Sequence, residues 1–292
     1  MVDERAHGAR STVGVVVNVY ERTYRSVLRP GFMPWLETQN CRVFDEKVIL
    51  INNVDDRQDA RRRAEELLAA GEISRYEWVD AWRPAAMRHY GLARRHLRRL
   101  PHLVDFGLVM PLVVETDWLV GWDAETRLVE PVDWVAQGLR LLTSDPQVLH
   151  VSLNWPRYSD HDPVLEKEMI RRVGDVAYSY GFSDHVFLIN RSELLAARLR
   201  SFAPAAVVRH APHPYTFEYR MESYQRAVRR YRATLTTVSY ETHYPEVPLL
   251  SRIGRGSRWD DLRIRALWQF GWTVLDRLPE SLGPRFKRYP LS

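Results

Sequence analysis

The sequence predicts an α/β fold: a mainly parallel sheet flanked by helices. Three observations predict it. From Thr12 the chain runs Val-Gly-Val-Val-Val-Asn-Val, a stretch dominated by β-branched valine. Such a run suits a strand buried on both faces of a parallel sheet, where alternation of apolar and polar residues is lost. Lys47-Val-Ile-Leu-Ile51 is a second run of the same kind. Helical patterns then alternate with further short strands through the first half, the order that builds a sheet covered on both sides.

After the first strand, Glu21-Arg22-Thr23 opens a polar turn, and Tyr24 to Leu36 is broken by Pro30-Gly31 and Pro34, so this connection is helical only in part. The second strand stops at Asn52-Asn53. Asp55-Asp56 then caps a helix from Arg57 to Ala70 that ends at Gly71. Tyr76 to Val79 reads as a third strand. Pro84 stands near the start of an arginine-rich helix running to about Leu100, with Tyr90, Ala93, Leu97 and Leu100 on one face and Arg94, Arg95, Arg98 and Arg99 largely outside it. That basic face is either solvated or a rim that helps to hold a diphosphate or an anionic acceptor. Trp118-Leu-Val-Gly-Trp122 is strand-like and ends abruptly in Asp123-Ala-Glu125. Val148 to Leu153 is a further strand, Asp184 to Ile189 begins an apolar segment, and Tyr219 to Thr237 reads as a basic helical stretch. The last forty residues carry Trp259, Trp268, Phe270 and Trp272, an aromatic-rich helical segment that packs in the core or faces an acceptor or a membrane surface.

Composition narrows the function classes. With 45% hydrophobic residues, 10 Trp and 14 Tyr in 292 residues, the chain has enough apolar surface for one main core, which excludes sustained disorder. Apolar runs such as Val13 to Val19 and Phe106 to Val114 fall short of the roughly 20 residues of a membrane span. Met1 to Ser11 is polar and charged, without the apolar stretch of a signal peptide, so a cytoplasmic address is the default, with peripheral membrane contact compatible. The single cysteine, Cys41, allows no internal disulfide and lacks the partners of a nucleophile. A net charge of +5 favours anionic ligands, phosphate among them.

Asp123 and Glu125 are the first candidates for chemistry. Two carboxylates one residue apart at a strand's end present oxygen ligands to a hard divalent cation that also takes oxygens from a diphosphate, and the carboxyl ends of parallel strands leave the crevice where ligands sit. A solvated acidic turn is the competing reading.

The ordered set of Asn18-Val-Tyr-Glu-Arg22 with Ser26-Val-Leu28, the strand ending Ile51-Asn-Asn53, Asp123-Ala-Glu125, and Gly181-Phe-Ser-Asp-His185 resembles a family-2-type glycosyltransferase of the GT-A fold, over about residues 12 to 200. The resemblance implies transfer of a sugar from a nucleoside-diphosphate sugar donor to a small-molecule or glycan acceptor, with Mn2+ or Mg2+ assisting and no nucleic-acid partner. It implies that Val17, Tyr20, Arg22 and Asn53 lie around the base and ribose, and that Asp123 and Glu125 take the metal and diphosphate. Here the last acid is Glu rather than Asp, so Asp123 is the more direct ligand and Glu125 can act through water. Asp184 matches the general base. A downstream histidine, His210 or His213, stands where the metal shell is completed in some members. On this reading residues 1–11 are a polar tail, 12–210 the donor-binding and catalytic region, and 211–292 an acceptor-side helical segment of the same domain.

Each assignment has a plain competitor. Ser183 or Asp184 caps the segment that follows, Arg22 is a surface charge, Asn52 and Asn53 are turn residues tolerant of the left-handed region, and His210 and His213 are loop residues among prolines. Two enzymatic rivals, a sugar-1-phosphate nucleotidyltransferase and a dinucleotide-binding oxidoreductase, call for a glycine-rich turn after the first strand, and Asn18 to Arg22 contains no glycine. A basic binding protein for nucleic acid or a membrane surface is the non-enzymatic rival, and it leaves the acidic turn unexplained.

Overall fold

The computed structural model describes residues 11–97, 104–155, 169–210 and 216–242. The elements are β1 (Val13–Val19), α1 (Tyr24–Val27), α2 (Phe32–Gln39), β2 (Glu46–Ile51), α3 (Arg57–Ala69), β3 (Arg75–Trp78), α4 (Val79–His89), α5 (Asp105–Val109), β4 (Trp118–Asp123), β5 (Thr126–Leu128), α6 (Trp134–Ser144), β6 (Val148–Asn154), β7 (Arg171–Val173), β8 (Val176–Ser179), β9 (Val186–Asn190), α7 (Arg191–Ala196), α8 (Pro204–Arg209), α9 (Phe217–Val228) and β10 (Tyr231–Thr242).

One sheet of ten strands runs β3-β2-β1-β4-β9-β6-β10-β8-β7, with β5 pairing to β10. The first four strands are mutually parallel. β9 is antiparallel to both β4 and β6, whereas β6 and β10 are parallel to each other. The class is therefore α/β, with a parallel block at one side and a mixed block at the other. Both faces are covered. Val13, Val15, Val17 and Val19 pack with Trp122, Trp134 and helices α2 and α3 on one face, while Val16, Val48, Leu50 and Leu119 pack with Phe187 and Phe217 on the other. Successive strand side chains point to opposite faces, so a strand with core on both sides needs apolar residues at every position. Each such side chain contributes about 1.5–3 kcal/mol by leaving water.

Local chemistry sets the ends. The Asp56 side chain accepts from the Asp59 N–H at the start of α3, and Gly71 leaves the helix region at φ +71°. In β4, Gly121 lies opposite Phe187 of β9, and a Cβ there would come within 2.2 Å of the phenyl ring. The glycine is the space that lets the antiparallel strand bring its aromatic ring against the sheet.

Two predicted helices are shorter than the sequence suggests. The arginine-rich helix begins earlier, at Val79, and stops at His89. Gly91, at φ +62°, turns the chain, and Arg94–His96 form only a single 3-10 turn. Tyr90 and Leu97 are still buried, so the apolar spacing marks burial without one helix carrying it; Arg98, Arg99 and Leu100 lie outside the described residues. Likewise α9 ends at Val228, Arg229 takes the left-handed region at φ +57°, and Tyr231–Thr242 is a strand inside the sheet rather than more helix. Trp259, Trp268, Phe270 and Trp272 lie outside the described residues. Among the described residues no helix is long and apolar enough to cross a membrane.

Candidate functional site

The antiparallel strand assembles the site. β4 ends at Asp123, and because β9 runs against it, with Trp122 opposite Val186, the start of β9 lies beside the end of β4. The backbone N–H of Asp123 donates to the His185 carbonyl at 2.7 Å. His185 Nδ1 stands 3.2 Å from Asp123 Oδ2, with side-chain exposures of 16% and 23%. Asp184, the residue before, is thereby set at the same strand end. Its own N–H donates to Glu218 Oε1 at 3.3 Å, from the first turn of α9.

The two acids of the Asp-Ala-Glu turn part company. Asp123 stays partly exposed, with its Oδ1 accepting from the Glu125 N–H at 3.3 Å and its Oδ2 facing His185. Glu125 turns inward, is 6% exposed, and accepts a hydrogen bond from the Tyr20 hydroxyl. Tyr20 follows β1, where the Thr23 side chain accepts from its N–H at 3.0 Å and fixes the turn. Arg22 is close enough to favour the charged forms of both Tyr20 and Glu125.

Charge in this cluster is strongly coupled. Burial alone would lower His185, but the hydrogen bond and charge of Asp123, joined by Asp184 and Glu218, carry it up to about 9. Burial raises Asp184, and the Asp123 charge adds to this, while His185 opposes it. Burial also raises Glu125, against the Tyr20 hydrogen bond. Desolvation and the Glu125 carboxylate keep the Tyr20 phenol protonated far above its ordinary range.

The other predicted residues are placed less uniformly. The Asn52 N–H donates to the Val19 carbonyl at 2.8 Å, which brings the ends of β1 and β2 together, and Asn53 beside it is exposed at φ +49°. Val17 lies lower in β1 with its side chain wholly buried in the core, so it offers the crevice no side chain. His210 sits against α9. Its Nε2 is 3.0 Å from Glu222 and its Nδ1 3.6 Å from Glu218, in a network where Arg226 also holds Glu222 at 2.7 Å. His213 lies outside the described residues. Cys41 is an exposed free thiol in the turn after α2.

Sequence reasoning left His185 and Glu218 unassigned, together with an aromatic wall: Trp155 stacks on Tyr240 with centroids 6.2 Å apart, and His185 stands 5.3 Å from Trp155. The Tyr240 hydroxyl is 3.4 Å from Ser183 Oγ, next to Asp184. His185 stands inside the motif that carries the resemblance; only the direction of β9 shows that it meets Asp123.

Among the described residues no group of three or more His, Cys, Asp and Glu side chains forms a metal cage. A cation shared with a diphosphate needs none, since one or two carboxylates with substrate oxygens and water suffice. The donor chemistry of Asp123, an oxygen ligand at a crevice-facing strand end with Glu125 behind it, fits that mode.

No protein-family model and no curated protein matches the chain. Among solved structures the chain is similar to glucosyl-3-phosphoglycerate synthase from Mycobacterium tuberculosis, at 15% identity over 89% of this chain and 82% of that one, with a TM-score of 0.44. The same synthase in complex with Mn2+, UDP and phosphoglyceric acid aligns at 14% identity over 89% and 79% of the two chains, TM-score 0.44. GalNAc-T7 with UDP, GalNAc and Mn2+ aligns at 12% identity over 94% of this chain and 52% of that one, TM-score 0.46. The mixed α/β architecture, with a central sheet flanked by helices, is the fold class that the GT-A resemblance implies.

Proposed function

We propose that the chain is a glycosyltransferase that moves a sugar from a nucleoside-diphosphate sugar to a hydroxyl or amine of a small-molecule or glycan acceptor. One observation carries the reading: the ends of β1 and β4 and the start of β9 bring Tyr20, Asp123, Glu125, Asp184 and His185 into one cluster. The base and ribose lie along the ends of β1 and β2, near Tyr20, Arg22 and Asn53, with Val17 contributing through its backbone at most. Asp123 would hold a Mn2+ or Mg2+ ion together with oxygens of the donor diphosphate, and Glu125, steadied by Tyr20, would act through water.

When bound, that cation offsets charge on the departing nucleoside diphosphate. The chain's own residues do the rest. His185, its Nδ1 3.2 Å from Asp123 Oδ2, holds the Asp123 carboxylate in place. Asp184, set next to it by the start of β9, accepts the proton of the attacking acceptor group, a task for a carboxylate within about 3 Å.

Isothermal calorimetry of the purified protein against UDP, GDP, CDP and dTDP, with and without manganese or magnesium, tests this reading. Metal-dependent binding of one nucleotide in the micromolar range is the expected outcome and names the donor class. Absence of binding by UDP, GDP, CDP and dTDP in every metal condition would overturn it.

A further inference from the structure

A second surface is built from two stretches that lack acid altogether. Ala81 to Val104 and Leu194 to Phe217 contain no Asp or Glu. The fold joins their described parts. His89 Nε2 is 2.8 Å from the Leu195 carbonyl, and the Tyr90 hydroxyl donates to the Leu194 carbonyl at 3.1 Å. Arg220 of α9, 4% exposed, donates to the carbonyls of both Leu199 and His96, tying the two stretches from beneath. The Arg200 side chain reaches Gly91, where an added Cβ would lie 3.9 Å from it.

The result is a cationic face. Arg88, Arg94, Arg95, Arg198 and Arg200 are all exposed, and among the described residues none has an acidic partner at ion-pair distance. The four acids that bound the two stretches have partners elsewhere: Asp80 pairs with Arg57 at 2.7 Å, Asp105, wholly buried, with Arg83 at 2.7 Å, Glu193 with Arg230 at 2.8 Å, and Glu218 accepts from the Asp184 N–H at 3.3 Å. The field is felt locally, since Arg95, Arg220 and Arg200 all add to burial in lowering His96. Beside these charges stands Phe202, 64% exposed and the only Phe, Tyr or Trp among the described residues that is exposed. The turn in which the Ser201 N–H donates to the Arg198 carbonyl at 2.9 Å presents it two residues from Arg200.

We propose that this face docks on an anionic phospholipid surface. Guanidinium groups pair with lipid phosphates while their aliphatic stems lie along the interface, and a phenyl ring without a polar atom gains by entering the acyl boundary. A polynucleotide would use the charges, yet one isolated ring offers no row of stacking platforms for successive bases. The proposal is independent of the transferase reading.

The test is co-sedimentation of the full chain with vesicles of phosphatidylcholine alone and of phosphatidylcholine with 30% phosphatidylglycerol, a composition of about one anionic lipid in three. The expected result is binding to the anionic vesicles only. It weakens about tenfold or more in an R94A/R95A/R198A/R200A variant that keeps the wild-type circular dichroism spectrum, and F202S loses the part that survives high salt. Equal binding by the quadruple variant would overturn the proposal. So would absence of wild-type binding, or displacement from the vesicles by single-stranded polynucleotide at lower concentration than lipid.

Discussion

Two ion pairs flank the same sheet in opposite surroundings. Arg83 holds Asp105 at 2.7 Å in the helical layer, where the carboxyl is wholly buried and its Oδ1 has no hydrogen-bond partner. His185 holds Asp123 at 3.2 Å at the crevice, where both side chains keep some access to water. Burial raises the Asp105 carboxyl, and Arg83 is the main counterweight. At the crevice the carboxylate and its neighbours instead raise the imidazole. The difference separates a charge the fold must neutralise from a charge it leaves available to a ligand.

Breaking each pair should therefore read out on different axes. On the proposed reading, in which Asp123 holds a metal and the donor diphosphate, Asp123→Ala is expected to remove turnover by about a thousandfold or more, an effect of several kcal/mol. Its thermal midpoint should move little, the lost pair being partly solvated. Normal turnover by the folded variant would remove the crevice from the comparison. Asp184→Asn sharpens it further: transfer should fall by about 10²–10⁴ while calorimetric nucleotide binding is retained, as for loss of a general base. Full transfer by this variant would make Asp184 a turn residue.

Arg83→Ala should act the other way. Leaving the Asp105 carboxylate buried without its partner costs about 3–5 kcal/mol in urea unfolding, with turnover per folded molecule unchanged. A stability loss confined to the range of surface pairs would mean that the helical layer relaxes to admit water. Gly121→Ala is the smallest of the four: overpacking against Phe187 costs about 1–3 kcal/mol, and Gly121→Ala combined with Phe187→Leu should recover part of it. No recovery would place the strain elsewhere in β4 or β9.

Much of the fold was legible in the residues themselves. The runs of Val13 to Val17 and Val48 to Ile51 declare strands buried on two faces because no polar residue interrupts them, and Asp56 with Gly71 brackets α3 by cap chemistry. Where the reading failed, a local signal had to compete with a tertiary one. Arginine and a helical period carried the predicted helix on past Gly91 and the other on past Arg229, although both positions take a left-handed backbone that ends it. The β10 strand follows at once and is held by pairing to β6 and β8, partners distant in sequence that no local pattern names.

For the site, the sequence by itself determined that an acidic pair ends an apolar strand and that Asp184 precedes another. It also placed Tyr20 and Arg22 in the first loop. The tertiary structure decided what these residues face. The antiparallel direction of β9 puts His185 on Asp123, and α9 sets Glu218 against Asp184. Packing turns Glu125 toward Tyr20, Val17 into the core and His210 onto Glu222. Strand direction and side-chain aim depend on long-range pairing and on which partner satisfies a buried charge, and neither is written in the spacing of neighbouring residues.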